Sequence, residues 1–210
     1  LKEIAVFRGG TSVAQGAGYL GGVVQMETKD ARDFLEDDRV GGTIRWGWKN
    51  NNDEQFRSYT FYALPVDGID VLINQVSRLT NDLTQPNGES FDNSDEQQES
   101  LLAKIEKYTV DSILSYSFRN SKDEGIEPFD LVSNCNSASI SDTLCRDMFR
   151  DTKENAHSFR GQYNPESSIV DLDFVVGYID KSVTEQTSIG NGFVLDDPVE
   201  SIQHFEYDIW

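Results

Sequence analysis

No stretch of this 210-residue sequence approaches the ~18 consecutive apolar residues that a membrane helix needs. That absence excludes a helical span. It says nothing against a β-barrel, whose strands alternate apolar and polar residues and never look hydrophobic on average. Basic residues are scarce: 18 Lys and Arg stand against 37 Asp and Glu, a formal net charge of −19. A surface this acidic repels phosphates, so neither nucleic acid nor anionic headgroups are expected as ligands of the bulk of the chain. Histidine is limited to His157 and His204, and cysteine to Cys135 and Cys145. No further Cys or His lies near the two cysteines at ligand spacing, so no metal site is expected. Placed in one Ser/Asn/Asp-rich segment, the two thiols are expected to form a local disulfide in an oxidising compartment. No Cys–His or Ser–His–Asp grouping has local support, so no catalytic residue is assigned and the chain is not read as an enzyme. Gly16-x-Gly18-x-x-Gly21 spells a dinucleotide fingerprint, but Val23-Val24-Gln25-Met26 behind it reads as strand where that motif needs a helix. A secretory leader is also missing, Leu1 is not an initiator Met, and Tyr207-Asp208-Ile209-Trp210 stops inside a strand-like run. The sequence is therefore read as a piece of something longer.

What is present changes character after the first thirty residues. These are rich in glycine and predict two short strands, Glu3 to Arg8 and Gly22 to Thr28, around a segment of tight turns. Asp30, with Asp33 three residues on, predicts the cap of a short helix running to Leu35. From Val40 onward the dominant period is two. In 169–179, Val170, Leu172, Phe174, Val176 and Tyr178 share one face while Asp171, Asp173, Val175 and Gly177 share the other. Thr43 to Lys49, Ser112 to Phe118 and Ile202 to Trp210 alternate in the same way, and weaker runs lie at 56–64, 69–79, 100–107 and 158–163. About eight consecutive strands with no long helix between them imply an all-β, antiparallel sheet. The connections sort by edge. Pro65 to Gly68, Tyr108 to Asp111 and Asn164 to Ser168 are brief, whereas Thr80 to Gln98, Asn120 to Asn155 and Ser182 to Glu200 read as long polar loops. Short turns on one edge and long loops on the other suit a transmembrane β-barrel. Asp171 and Asp173 then face a wet lumen, and Trp46, Trp48, Tyr178, Phe205 and Tyr207 face lipid. A soluble β-sandwich, such as an adhesin module, meets the periodicity as well.

One string goes further. Ile4-Ala5-Val6-Phe7-Arg8-Gly9-Gly10, then Gly16-Ala17-Gly18-Tyr19-Leu20-Gly21-Gly22-Val23-Val24 and Thr28-Lys29, resembles the end of the plug domain in TonB-dependent outer-membrane receptors, departing at Gly10 where many members carry Pro. The continuation Thr28-Lys29-Asp30-Ala31-Arg32-Asp33-Phe34-Leu35 is similar to the plug-to-barrel junction of the heme and hemoglobin receptor branch. The resemblance implies the end of a plug at 1–29, a linker at 30–39 and the first part of a barrel at 40–210. It implies an outer-membrane receptor of a Gram-negative bacterium that takes up an iron-containing ligand, heme or hemoglobin ahead of a ferric siderophore, without covalent chemistry. Its partners would be the TonB–ExbB–ExbD energy-coupling complex, the heme or heme protein, and outer-membrane lipid. Heme would be cargo and not a resident cofactor. Arg8, Gly9, Gly16, Gly18, Gly21 and Gly22 would carry the plug motif, with Arg8 held against barrel carboxylates. His204 and His157 are the candidate contacts to heme iron, since neutral imidazole suits iron.

Overall fold

The computed structural model describes residues 2–8, 22–35, 38–91, 94–128, 147–165, 170–189, 192–195 and 199–209. Cys135, Cys145, Gly9, Gly16, Gly18 and Gly21 lie outside these. The chain opens with strands β1 (Glu3–Arg8) and β2 (Gly22–Glu27), paired antiparallel from Glu3 opposite Glu27 to Arg8 opposite Gly22. Gly22 has φ +137, and a Cβ there would run into the carbonyl oxygen of Phe7, so only glycine lets the two strands meet at this point. The expected helix is a single 3-10 turn, Ala31–Asp33, in which the Asp30 amide donates to Asp33 Oδ2 at 2.8 Å.

The rest is one antiparallel sheet. Its strands are β3 (Val40–Lys49), β4 (Glu54–Val66), β5 (Ile69–Thr80), β8 (Glu96–Tyr108), β9 (Ser112–Pro128), β10 (Asp147–Tyr163) and β11 (Leu172–Ile189), paired in that order. A two-residue pair, β6 (Leu83–Thr84) and β7 (Ser90–Phe91), folds inside the β5–β8 connection. At the far edge β12 (Gly192–Leu195) and β13 (Val199–Ile209) both pair with β11, one beyond the other. β3 and β13 do not pair with each other, so the sheet is an unclosed portion of barrel wall.

Eight positions across the sheet match the expected strand count, but three strands run much further than the alternation suggests. β9, β10 and β11 have 17, 17 and 18 residues. At ~3.3 Å per residue they reach roughly 55–60 Å, more than twice the ~25 Å apolar band of a membrane barrel. The reading of 120–155 and 182–200 as loops is therefore corrected: in the first, 120–128 and 147–155 are strand, and in the second 182–189 belong to β11, 192–195 to β12 and 199–200 to β13. The register shows why the pattern vanished. Phe61, Ile73, Ala103, Phe118, His157 and Tyr178 lie side by side on one face. Four residues further along the same face, toward the long connections, the row reads Arg57, Ser77, Glu99, Lys122, Lys153 and Ser182. Both faces are wet there, so hydrophobic alternation stops while the backbone ladder continues.

A conventional core is nearly absent: among the described residues only Ala31 and Leu72 are buried and apolar. The chain exposes 14748 Å², against roughly 9,800 Å² for a compact monomer of its mass. Ile44, Trp46, Trp48, Tyr59, Phe61, Ile73 and Ile105 are all exposed on the same face. A β-sandwich would bury that face against a second sheet; here none of the described residues covers it.

Candidate functional site: a charged seam on the inward face

The other face of the sheet carries the linker. Its rows are polar: Leu72, Lys104, Ser117 and Ser158 are cross-strand neighbours, as are Asn74, Leu102, Arg119 and Ala156. Residues 28–35 lie against this wall near the short-turn edge. They are held by side chains that successive linker residues send to three strands. Asp30 accepts from Lys104 of β8, and the same ammonium reaches the Thr28 carbonyl at 3.4 Å. Lys2 closes the other side of Asp30 at 3.0 Å and of Asp33 at 3.4 Å. Arg32 donates through Nε to Asp70 of β5 at 2.7 Å and lays its guanidinium 3.9 Å from the Tyr108 ring centre. Phe34 stacks on Tyr62 of β4 with ring centres 4.8 Å apart, and Lys29 sits 4.9 Å over the opposite partner of that stack, the Phe34 ring.

Electrostatics explains the arrangement. Asp70 is 1 % exposed and faces the buried Glu106 directly in register, so two carboxylates share a low-dielectric site. Like charges this close are unfavourable unless cations and donors offset them. Arg32 serves Asp70, and Tyr108 donates its hydroxyl to Glu106 at 2.7 Å. Burial by itself would raise the Asp30 carboxyl, but the hydrogen bonds from Lys104 and Lys2 outweigh it and hold the group below the ordinary carboxylate range. Its partner Lys2 is raised, chiefly by the hydrogen bond to Asp30. The Arg32 guanidinium is raised further by its bond to Asp70. Among the described residues no group of three or more His, Cys, Asp and Glu is arranged to hold a metal ion.

Residues singled out from sequence are distributed differently. Arg8 ends β1 with an exposed side chain and no ion pair among the described residues. His157 lies within β10 and not at a loop end. Its ring meets Tyr116, Phe118 and Tyr178 on the outward, apolar face, and Tyr116 Oη is 2.8 Å from its Nδ1. His204 belongs to β13, its backbone in register with Ile179. Asp173 is on the face of the linker, 3.1 Å from Gln162 Nε2 and 3.4 Å from Arg160. The seam itself was not anticipated. Its signal was the charge alternation of Lys29-Asp30-Ala31-Arg32-Asp33, matched by Asp70, Lys104 and Glu106 at inward strand positions.

No family model matches the chain. Curated proteins do. It is 26 % identical over 181 residues to the TonB-dependent heme receptor A of Haemophilus ducreyi, covering 80 % of this chain and 24 % of that protein. The TonB-dependent heme receptor A of Haemophilus influenzae is 28 % identical over 185 residues, again 80 % of this chain and 24 % of the relative. The Hemin receptor of Yersinia pestis is 31 % identical over 130 residues, 61 % of this chain and 19 % of the relative. The chain thus spans about a quarter of the length of the first two relatives, and over four-fifths of its own length it is similar to proteins named as TonB-dependent heme receptors.

Proposed function

We propose that this chain is the end of the plug and the first part of the barrel of an outer-membrane receptor that takes up heme or hemoglobin in a TonB-dependent way. One observation carries the reading: a glycine-rich hairpin continues into a linker docked by ion pairs on the polar face of an antiparallel sheet whose opposite face is apolar and uncovered. A soluble protein has no use for that second face, whereas lipid does. The names of the relatives support heme as the ligand, and none of those names is an enzyme's. In this reading 1–29 is plug, 30–39 linker and 40–210 barrel wall, and the short turns face the periplasm. The TonB–ExbB–ExbD complex supplies the pull that rearranges the plug. Of the two histidines, His204 is carried forward as a contact to heme iron, because His157 sits on the lipid side. Arg8 is assigned to carboxylates of barrel strands further along the receptor. Cys135 and Cys145, both within the 129–146 connection, form a disulfide in an extracellular loop, so alkylation of the unreduced protein should label neither.

The test is growth of a heme-requiring Gram-negative host expressing the full-length protein, with heme or hemoglobin as sole supply. Growth that disappears when TonB is deleted is expected. No growth and no heme binding by the purified receptor would overturn the heme reading. In an iron-limited host that makes its own heme, growth restored by a ferric siderophore and not by heme would replace it with siderophore uptake.

A further inference from the structure

Beside the seam, on the side toward the long connections, a cleft of about 520 Å³ opens between the linker and the wall of β3, β4, β5 and β8. That volume falls in the ~300–1,000 Å³ range of small-molecule sites. Its lining differs in sign from the rest of the protein. In a chain of net charge −19, no Asp or Glu is among the described lining residues, while Lys29, just ahead of the linker, and Arg45 on β3 are. Neither cation has an ion pair among the described residues, and Arg45 is exposed. Between them Phe34, Phe56 and Leu102 offer apolar surface, and the remaining lining is largely hydroxyl and amide. Several inward carboxylates are engaged elsewhere: Asp30, Asp70 and Glu106 in the seam, Glu154 on Arg119, Asp173 on Arg160.

We propose that this cleft is a transit site for a planar, apolar ligand bearing carboxylates, with Lys29 and Arg45 meeting the carboxylates and the apolar side chains meeting the ring system. The inference rests on the receptor reading above and deepens it: heme has this chemistry, an apolar macrocycle carrying two propionates. None of the described lining residues is His, Cys, Tyr or Met, so these residues hold the porphyrin through its edges and not through the iron. Weak, charge-matched contact is what a passage needs, since a site that binds too tightly does not release.

The experiment uses the full-length receptor in cells. The probes are heme and heme dimethyl ester, whose propionates are neutral. The variants are the charge-removing pair Lys29→Gln with Arg45→Gln and the charge-keeping pair Lys29→Arg with Arg45→Lys. Surface binding is measured in a host lacking TonB, and uptake in a host that has it. With the charge-removing pair, heme uptake should fall roughly tenfold, as expected for loss of two partly exposed charged contacts. Surface binding and ester uptake should stay as in the unmodified protein, and the charge-keeping pair should retain heme uptake. If the charge-removing pair takes up heme at the unmodified rate, the transit site is wrong. Equal loss for heme and ester, or loss shared by the charge-keeping pair, would mean that the residues are structural and would overturn it as well. If the unmodified receptor takes up no heme at all, it is the receptor reading that fails.

Discussion

Arg32 holds the linker through one side-chain bond to the buried Asp70, and Asp30 through the largely buried Lys104 and the half-exposed Lys2. Replacing Arg32 by Ala leaves Asp70 buried beside Glu106 without its cation, and Asp70 Oδ1 has no hydrogen-bond partner even with Arg32 present. The loss should weaken docking of residues 28–35 by about 3 kcal/mol. Hydrogen exchange in that segment of the detergent-solubilised protein should quicken by roughly a hundredfold. Asp30→Ala should act similarly through the stranded Lys104 ammonium, whereas Arg8→Ala should leave the segment unchanged. Exchange at 28–35 that is insensitive to Arg32→Ala and Asp30→Ala would remove the seam as an anchor. The pH dependence follows from the same bonds. Because the folded Asp30 carboxyl lies below its unfolded value near ~3.9, its stabilisation is complete above that pH and disappears as pH falls through the folded value. Lys2, raised when folded, contributes fully below ~10.5 and is lost only as pH rises through its higher folded value. Linker exchange, corrected for intrinsic rate, should be flat across neutral pH and rise below about 4. A midpoint near the histidine range would point to a different group.

At the scale of elements, the entry of the chain into the sheet depends on a glycine and a ring. Gly41 of β3 lies opposite Tyr62 of β4, and a Cβ at Gly41 would run into the Tyr62 ring. That ring is the one Phe34 stacks on. Gly41→Ala should therefore cost about 1–3 kcal/mol and loosen the linker and the β3–β4 pair together. Proteolysis near Leu35 is the readout; faster cleavage in Gly41→Ala is expected, and unchanged cleavage would uncouple the stack from strand pairing. Strand existence, direction and count were legible in the period-two pattern of 40–210, because one face meets apolar surroundings and the other water. Strand ends were not, since β9, β10 and β11 continue into segments such as Asn120-Ser121-Lys122-Asp123-Glu124 where both faces are polar. Backbone pairing with the neighbouring strand holds those residues extended, and pairing leaves no mark in hydropathy.

For the molecule as a whole, the two faces should respond oppositely to one substitution. Ile73→Arg places a cation in the middle of the outward apolar rows and should destabilise the membrane-embedded protein by about 2–4 kcal/mol. Ser117→Arg, on the inward face, should change stability by less than about 1 kcal/mol. Urea unfolding in lipid vesicles decides between them, and equal effects would mean that the outward face does not meet lipid. Tags near Ser139 should be reachable on intact cells and tags at Pro65–Gly68 should not; labelling at Gly68 would invert the topology.

The local signals in the sequence were sufficient for the architecture. Alternation set the antiparallel strands, Gly22 set the hairpin, and the string from Ile4 to Leu35 set the family resemblance, because each depends on residues close together in the chain. The seam depended on residues far apart: Asp30 with Lys104, Arg32 with Asp70, Phe34 with Tyr62. So did the side on which His157 lies, since it sits beyond the last clear alternation before β10 and only its register with Phe118 and Tyr178 assigns it to the outward face. A carboxylate or an imidazole reads the same from either face of a sheet until pairing fixes the register, and a register shift of one residue exchanges the two faces.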